Sequence, residues 1–280
     1  MRPALCLLDD MKFGLFTCGY QRLDLERAFE DARSFGYDYI ELWGGRPHAF
    51  APDLLDGGLA DVLGLIEKYD MPVRVYTPEH NAYPYNYMLG GETQLADSVR
   101  YLRLAMDMGK ALGADCTLLS VGHGGSAPYQ ARRARLARTL RELAEYAEAI
   151  GHRIVLEPLT QFESNTCTTC AELESVLDEA GSPTLDGMCD VVAPFTQGED
   201  PAEYPRRLGS RMRHLHLTDS DRVSDTHLLP GDGAMDLKKV LSDIRAAGYD
   251  GTCTLELVTN YIEEPSRAAR LALERVRKLL

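Results

Sequence analysis

Residues 132–157 read RRARLARTLRELAEYAEAIGHRIVLE, and this stretch contains the pattern from which the fold can be inferred. It begins with a long amphipathic segment, Arg132–Ile150, which predicts a helix. Gly151 follows, and the short apolar run Arg153–Glu157 predicts a strand. A glycine directly after the apolar face of a helix is typical of a C-terminal cap, where the backbone needs a positive φ. The stretch therefore predicts one helix–glycine–strand unit.

The same unit recurs at Gly36, Gly113 and Gly248. Repeated units of this kind predict an α/β protein with a parallel sheet. Eight strands in about 270 residues match the size and order of a (β/α)₈ TIM barrel. A doubly wound sheet is the alternative, but no GxGxxG follows the first strand, so a dinucleotide site is disfavoured. The predicted strands are Lys12–Thr17, Tyr39–Trp43, Val73–Tyr76, Cys116–Val121, Arg153–Glu157, Leu185–Asp190, Met212–Leu217 and Thr252–Leu257.

We find no linker and no low-complexity segment, so we expect a single barrel domain over residues 12–280. Residues 1–11 are expected to be an N-terminal extension, because their short apolar stretch ends at Asp9 and Asp10. The apolar stretch is too short for a secretory signal, and acidic residues follow it directly.

The charge balance restricts the partners that this chain is expected to bind. It has 30 Lys and Arg against 43 Asp and Glu, a formal net charge of −13. Such a charge disfavours nucleic acid and an anionic membrane surface as partners. No apolar run approaches the roughly 20 residues that cross a bilayer. We therefore expect a small-molecule substrate, with no nucleic acid and no membrane as partner.

Seven cysteines are scattered along the chain, an odd number with irregular spacing. This usage predicts reduced thiols and a cytoplasmic protein. Cys167 and Cys170 form a lone CxxC, which without a second pair is expected to be structural rather than a metal or redox site.

Four consecutive predicted strands carry charged or imidazole side chains near their carboxyl ends: Glu157, Asp190, His216 and Glu256. In a TIM barrel these ends form the active-site face. Three carboxylates converging there would repel one another and would be costly to desolvate without a cation. Three oxygens and one imidazole nitrogen suit Mn²⁺, Mg²⁺ or Co²⁺. His214 faces the same side of its strand, but His216 lies nearer the carboxyl end and is the predicted ligand.

The pattern of these four residues resembles the xylose-isomerase-like barrel family of sugar isomerases and epimerases, over essentially the whole chain. Within that family it is similar to the metal set of the ketose 3-epimerases, as is HLHLTDSDR (His214–Arg222). Ala193 departs from that pattern, because the tagatose-type enzymes carry a histidine there. Still longer strings resemble the fructoselysine-type 3-epimerases: FTCGYQRL (16–23), ELWGGRPHAFAPDL (41–54), YTPEHNAYPYNYMLG (76–90), LEPLTQFESN (156–165) and DTHLLPGDG (225–233).

The resemblance implies a divalent-metal-dependent sugar 3-epimerase that acts on a ketose or ketosamine by proton abstraction through a cis-enediolate. It implies Glu157 and Glu256 as the acid–base pair, and Glu163 and Arg222 as substrate contacts. Mn²⁺ is the expected ion, with Mg²⁺, Co²⁺ or Ni²⁺ as alternatives, and a homo-oligomer, dimer or tetramer, is expected.

Three further residues are candidates for the substrate site. His123 is expected to contact substrate oxygens or water, or else to be an imidazole bonded to a group at the rim. Glu41 and Trp43 are candidates for a polar and an apolar wall, and plain packing is an equal alternative for Trp43. His227, next to the PGDG turn, is expected to be structural.

Several other activities remain open from the sequence. The nearest is different enediolate chemistry on the same scaffold: a sugar isomerase, a 4-epimerase of a 3-keto sugar or a keto-cyclitol dehydratase. A metal-dependent abasic-site endonuclease is disfavoured by the net charge of −13. A metal-free glycosidase with two carboxylates is another alternative, and it would keep full activity in the presence of a chelator. A sugar-binding barrel without catalysis would bind sugar but would not exchange a substrate C–H with D₂O.

Overall fold

A computed structural model of the chain describes residues 11–81 and 84–280. Its eight strands are all parallel and close into a barrel in the order β1 to β8. The predicted (β/α)₈ TIM barrel is therefore confirmed. The predicted N-terminal extension, except Met11, lies outside the described residues. The strands are β1 (Lys12–Phe16), β2 (Tyr39–Gly44), β3 (Val73–Pro78), β4 (Cys116–Ser120), β5 (Ile154–Glu157), β6 (Leu185–Asp190), β7 (Met212–Leu217) and β8 (Thr252–Leu255).

Helices connect the strands and cover the outside of the barrel. They are α1 (Leu25–Phe35), α2 (Ala51–Asp53), α3 (Leu59–Tyr69), α4 (Glu92–Ala111), α5 (Tyr129–Ile150), α6 (Cys170–Ala180), α7 (Val192–Gln197), α8 (Glu203–Leu208), α9 (Leu237–Ala246) and α10 (Pro265–Arg277). A π-helical turn (Leu54–Gly58) joins α2 to α3, and 3₁₀ turns occupy Thr17–Tyr20, Gly209–Arg211 and Thr259–Tyr261. Among the described residues, no helix is both long enough and apolar enough to cross a membrane.

The glycine at the end of α5 has the conformation that its sequence position predicts. Gly151 has φ 65° and ψ 46°, and its N–H donates to carbonyl oxygens of the last helical turn. This left-handed cap satisfies carbonyls that would otherwise lack a partner and turns the chain into β5.

A small apolar cluster fills the barrel beneath the carboxyl ends of the strands. It contains Val75, Cys116, Leu118, Val155 and Met188, all buried. Val155 precedes Glu157 by two residues, and Met188 precedes Asp190 by two, so each pair points to the same side of the sheet. Below the carboxyl ends, the barrel interior thus combines this apolar cluster with buried polar side chains, among them Glu41 and His214.

Candidate metal centre and active site

The structure places the four predicted ligands at the carboxyl end of the barrel. Glu157 and Asp190 end β5 and β6, and His216 lies one residue before the end of β7. Glu256 follows β8 directly, so the strand ends two residues earlier than predicted. The side chains of all four are buried or nearly so, with at most 13% of their surface exposed.

The four predicted ligands are divided between two candidate metal groups that share Glu256, and His227 completes the second; a third group, Glu41, His214 and His216, shares His216 with the first. In the first, Nδ1 of His216 lies 3.2 Å from Oε1 of Glu157 and 2.9 Å from Oε2 of Glu256. In the second, Nε2 of His227 lies 3.7 Å from Oδ2 of Asp190, and its Nδ1 lies 3.6 Å from Oε2 of Glu256. Within each group the possible ligand atoms all lie within 4.8 Å of one another.

Three buried polar atoms at this point make no hydrogen bond of acceptable geometry with any described residue: Nδ1 of His216, Nδ1 of His227 and Oε2 of Glu256. Nδ1 of His216 and Oε2 of Glu256 are 2.9 Å apart, but their relative orientation is wrong for a hydrogen bond. Buried polar atoms are seldom left without a partner, because the cost of desolvating them is then not recovered. A cation among them would provide the missing interaction for all three. The donor set of carboxylates and imidazoles therefore fits a divalent metal ion.

The ionisation of the site also reflects an excess of negative charge. Burial, together with the carboxylates Glu256 and Glu157, raises the pKa of Asp190 to about 7. Burial, together with Asp225 and Glu157, raises the pKa of Glu163 to about 8. A cation at this position would counteract both effects by favouring the charged carboxylates.

Below the site, Glu41 links two histidines of β7. Burial alone would raise the pKa of Glu41, but contacts with His216 and His214 lower it well below its usual range. Nε2 of His216 lies 3.0 Å from Oε1, Nε2 of His214 lies 2.9 Å from Oε2, and the hydroxyl of Thr77 donates to Oε1 over 2.7 Å. When Nε2 of His216 donates its proton to Glu41, the lone pair of Nδ1 is directed at the two carboxylates above it.

A cavity of about 520 Å³ opens above the predicted metal ligands. Six carboxylates line it, and among the described lining residues there is no lysine or arginine. Trp43 forms part of the wall, and its Nε1 donates to Oε2 of Glu79 over 2.9 Å. The six acidic lining residues are Glu79, Glu157, Glu163, Asp190, Asp225 and Glu256.

Of the predicted substrate contacts, Glu163 and Trp43 line this cavity, whereas three others lie elsewhere. Glu41 is fully buried beneath it, because it stands in the middle of β2, opposite Val75 of β3. His123 is exposed, and its Nδ1 accepts a hydrogen bond from the Gly125 N–H.

Arg222 is also exposed, with its guanidinium 5.4 Å from the centre of the Phe195 ring. Its φ of 71° is in the left-handed region, so the loop turns sharply at this residue.

Sequence reasoning did not predict His227 as a metal-binding residue. It lies in the loop between β7 and α9, where neither strand nor helix periodicity indicates which way a side chain points. Ser120 was missed for a different reason: its hydroxyl donates to Oε2 of Glu157 over 3.1 Å, but serine is common at strand ends. The only signal for His227 was its position next to the PGDG turn.

Residues 29–279 match the family model described as "Xylose isomerase-like TIM barrel". The chain is 51% identical over 271 residues to fructoselysine 3-epimerase of Escherichia coli O157:H7, covering 96% of this chain and 98% of that protein. It is 50% identical, over the same length, to the enzyme of the same name from Shigella flexneri. Among solved structures, D-allulose 3-epimerase from Methylomonas sp. in complex with D-allulose has a TM-score of 0.82 at 20% identity, covering 97% of this chain and 98% of that one.

The chain therefore belongs to the xylose isomerase-like TIM barrel family. Its relatives at about 50% identity are epimerases, and they match it along almost their full length.

Proposed function

We propose that this protein is a divalent-metal-dependent 3-epimerase of a ketosamine of the fructoselysine type. The observation that carries this proposal is the cavity, which is lined by six carboxylates and by no described lysine or arginine. Three of the six are predicted metal ligands, and Glu79, Glu163 and Asp225 are additional to them. Such a cavity suits a substrate that brings an ammonium group as well as hydroxyls. A fructoselysine-type ketosamine has a secondary ammonium beside its reacting carbons, and the full-length relatives are named for that substrate.

We propose Glu157, Asp190, His216 and Glu256 as the residues that hold the ion, and Mn²⁺ as the ion. When bound, a divalent cation supplies Lewis-acid stabilisation of the negative charge that develops on the substrate oxygens. The support is the unpartnered Nδ1 of His216 and Oε2 of Glu256, which face each other in a buried position.

The proposed acid–base pair is Glu157 and Glu256, on β5 and after β8. Both carboxylates contact Nδ1 of His216, Glu157 from β5, two strands away, and Glu256 from the end of the adjacent β8. One carboxylate would take the C3 proton, giving a cis-enediolate, and the other would return a proton to the opposite face of C3. The Ser120 hydroxyl donates to Oε2 of Glu157 and would thereby orient that carboxylate.

For substrate binding we propose Glu163 and Trp43, which line the cavity. Arg222 and His123 would contact a substrate only if it extended beyond the cavity to the rim. Glu41 would act from below, through His216.

Two properties of the whole protein stay proposals. We propose a homo-oligomer, dimer or tetramer, and mass measurement by light scattering tests it. We also propose a cytoplasmic location, which is supported by the six free and buried cysteines among the described residues.

The experiment that tests the function is NMR of fructoselysine and of free ketoses in D₂O, with and without a chelator. We expect deuterium at C3 and a product epimeric at C3, both lost on chelation and restored by Mn²⁺. A product changed at C1, C2 or C4 would show different enediolate chemistry. Full activity in chelator would contradict metal dependence, and binding without exchange would contradict catalysis.

A further inference from the structure

His227 is placed between two carboxylates but is hydrogen-bonded to neither. Its Nδ1 is 3.6 Å from Oε2 of Glu256, and its Nε2 is 3.7 Å from Oδ2 of Asp190. Both separations exceed the range of an N–H···O hydrogen bond. Separations of this size fit two atoms that bind the same metal ion, rather than a donor and an acceptor joined by a hydrogen bond.

The unpartnered atom is Nδ1, and it is buried. It faces Oε2 of Glu256, which is itself unpartnered, and that oxygen also faces the unpartnered Nδ1 of His216. Two imidazole nitrogens thus approach one carboxylate oxygen, one from β7 and the other from the loop that follows β7. Each nitrogen belongs to a candidate metal group that includes Glu256, His216 together with Glu157 and His227 together with Asp190.

Hydrogen bonds to the backbone hold the loop around His227, so the main chain that carries the imidazole is fixed without an ion. The next residue, Leu228, exchanges two 2.8 Å backbone hydrogen bonds with Asp219. The Thr218 hydroxyl donates to the Leu228 carbonyl over 2.7 Å. His227 is therefore presented to the site by an ordered backbone.

We propose that His227 is a further ligand of the divalent cation, through Nδ1, so that the ion has two imidazole ligands instead of one. This inference rests on the metal-dependent function proposed above. Because imidazole suits Mn²⁺, Co²⁺ and Ni²⁺ better than Mg²⁺, a second nitrogen would shift the selectivity of the site towards the transition metals.

Pulsed EPR of Mn²⁺ bound to the full-length protein tests this assignment, because it counts the nitrogens that couple to the ion. We expect two imidazole nitrogens in the wild type and one in His227→Gln. We also expect the affinity for Mn²⁺ to fall ten-fold or more in His227→Gln, and that for Mg²⁺ to change much less. His152→Gln, at the opposite end of the barrel, is the matched control and should keep two nitrogens.

A single nitrogen in the wild type, or two that persist in His227→Gln, would overturn the assignment of His227 and leave the proposed function intact. Failure of the wild type to bind Mn²⁺, Mg²⁺, Co²⁺ or Ni²⁺ would overturn both. The nitrogen count of the wild type needs no variant, so the test stands even if His227→Gln does not fold.

Discussion

Glu41 lies below the proposed ion site, and it would act on the metal through His216 rather than on the substrate. Its two oxygens accept from donors on β3 and β7, and the side chain is fully buried. A carboxylate in this position fixes the orientation and tautomer of a metal-binding histidine and makes its nitrogen a stronger ligand.

We therefore expect Glu41→Gln to weaken Mn²⁺ binding by about ten- to a hundred-fold. Calorimetric titration of the metal-free protein with Mn²⁺ measures this directly, without any assay of activity. Glu145→Gln changes an exposed residue of α5 in the same way and should leave the affinity unchanged. An unaltered affinity in Glu41→Gln would contradict the role of this carboxylate.

Glu256 has two proposed functions, as metal ligand and as acid–base group. Burial would raise its pKa, but contacts with His216 and His227 lower it, so the carboxylate is ionised and able to accept a proton. We expect Glu256→Gln to reduce exchange of deuterium into C3 by about 10²–10⁴-fold in at least one direction. NMR in D₂O, started separately from each epimer, measures both directions.

The metal content of Glu256→Gln must be measured alongside, because loss of the ion would also abolish exchange. Unchanged exchange in both directions, with the ion bound, would show that Glu256 does not transfer the proton.

Within the loop between β7 and α9, one buried carboxylate organises the backbone. Asp219 accepts N–H bonds from Ser220, Gly231 and Met235, at 2.8, 2.9 and 3.0 Å. A Cβ on Gly233 would stand 2.3 Å from Oδ1 of Asp219, which explains why the PGDG turn needs glycine at that position. The turn and the carboxylate thus fit together and hold the loop that carries His227.

We expect Asp219→Ala to lower the free energy of unfolding by roughly 2–4 kcal/mol, because the buried N–H groups of Ser220 and Met235 and the N–H of the exposed Gly231 lose their acceptor. Urea denaturation measures this change. Asp221→Ala is the matched control in the same loop, since that carboxylate is exposed and bonds only to Val223 and Ser224. Equal losses in the two variants would contradict the role of Asp219.

At the scale of the whole molecule, the fold could be predicted because the sequence shows the repeated pattern of amphipathic helix, glycine and apolar strand. The bounds of β6 and β7 agree with the prediction at both ends. The short helix α7 was not predicted, because six residues containing Pro194 show no helical period. The predicted class of reaction, sugar 3-epimerisation, is confirmed by relatives that match over nearly the full chain.

Residue patterns predicted the site best where a strand, or the residue directly after it, presents the side chain. Glu157 and Asp190 end their strands, and parallel strands bring their carboxyl ends together. His227 and Arg222 lie in a loop, where the direction of a side chain depends on tertiary contacts: one faces the ion site, and the other packs on Phe195.

Far from the site, His152 makes the stability of the barrel dependent on pH. It lies between α5 and β5, and its Nε2 is 3.0 Å from the Thr117 hydroxyl of β4. Burial, together with the nearby charge of Lys110, lowers the pKa of His152 from 6.5 to about 4. The imidazole is therefore neutral in the folded protein at a pH where it is already protonated in the unfolded chain.

Because the folded pKa is below the unfolded one, this contribution is complete above pH 6.5 and is lost as the pH falls towards 4. Between pH 7 and 4.5 we expect the wild type to lose about 2 kcal/mol more stability than His152→Gln, which cannot be protonated. Urea denaturation of both proteins at the two pH values measures the difference. A chelator is present throughout, so that release of a metal ion at low pH does not contribute to the measured stability. If the stability gap between the two proteins is the same at pH 7 and pH 4.5, His152 does not carry this pH dependence.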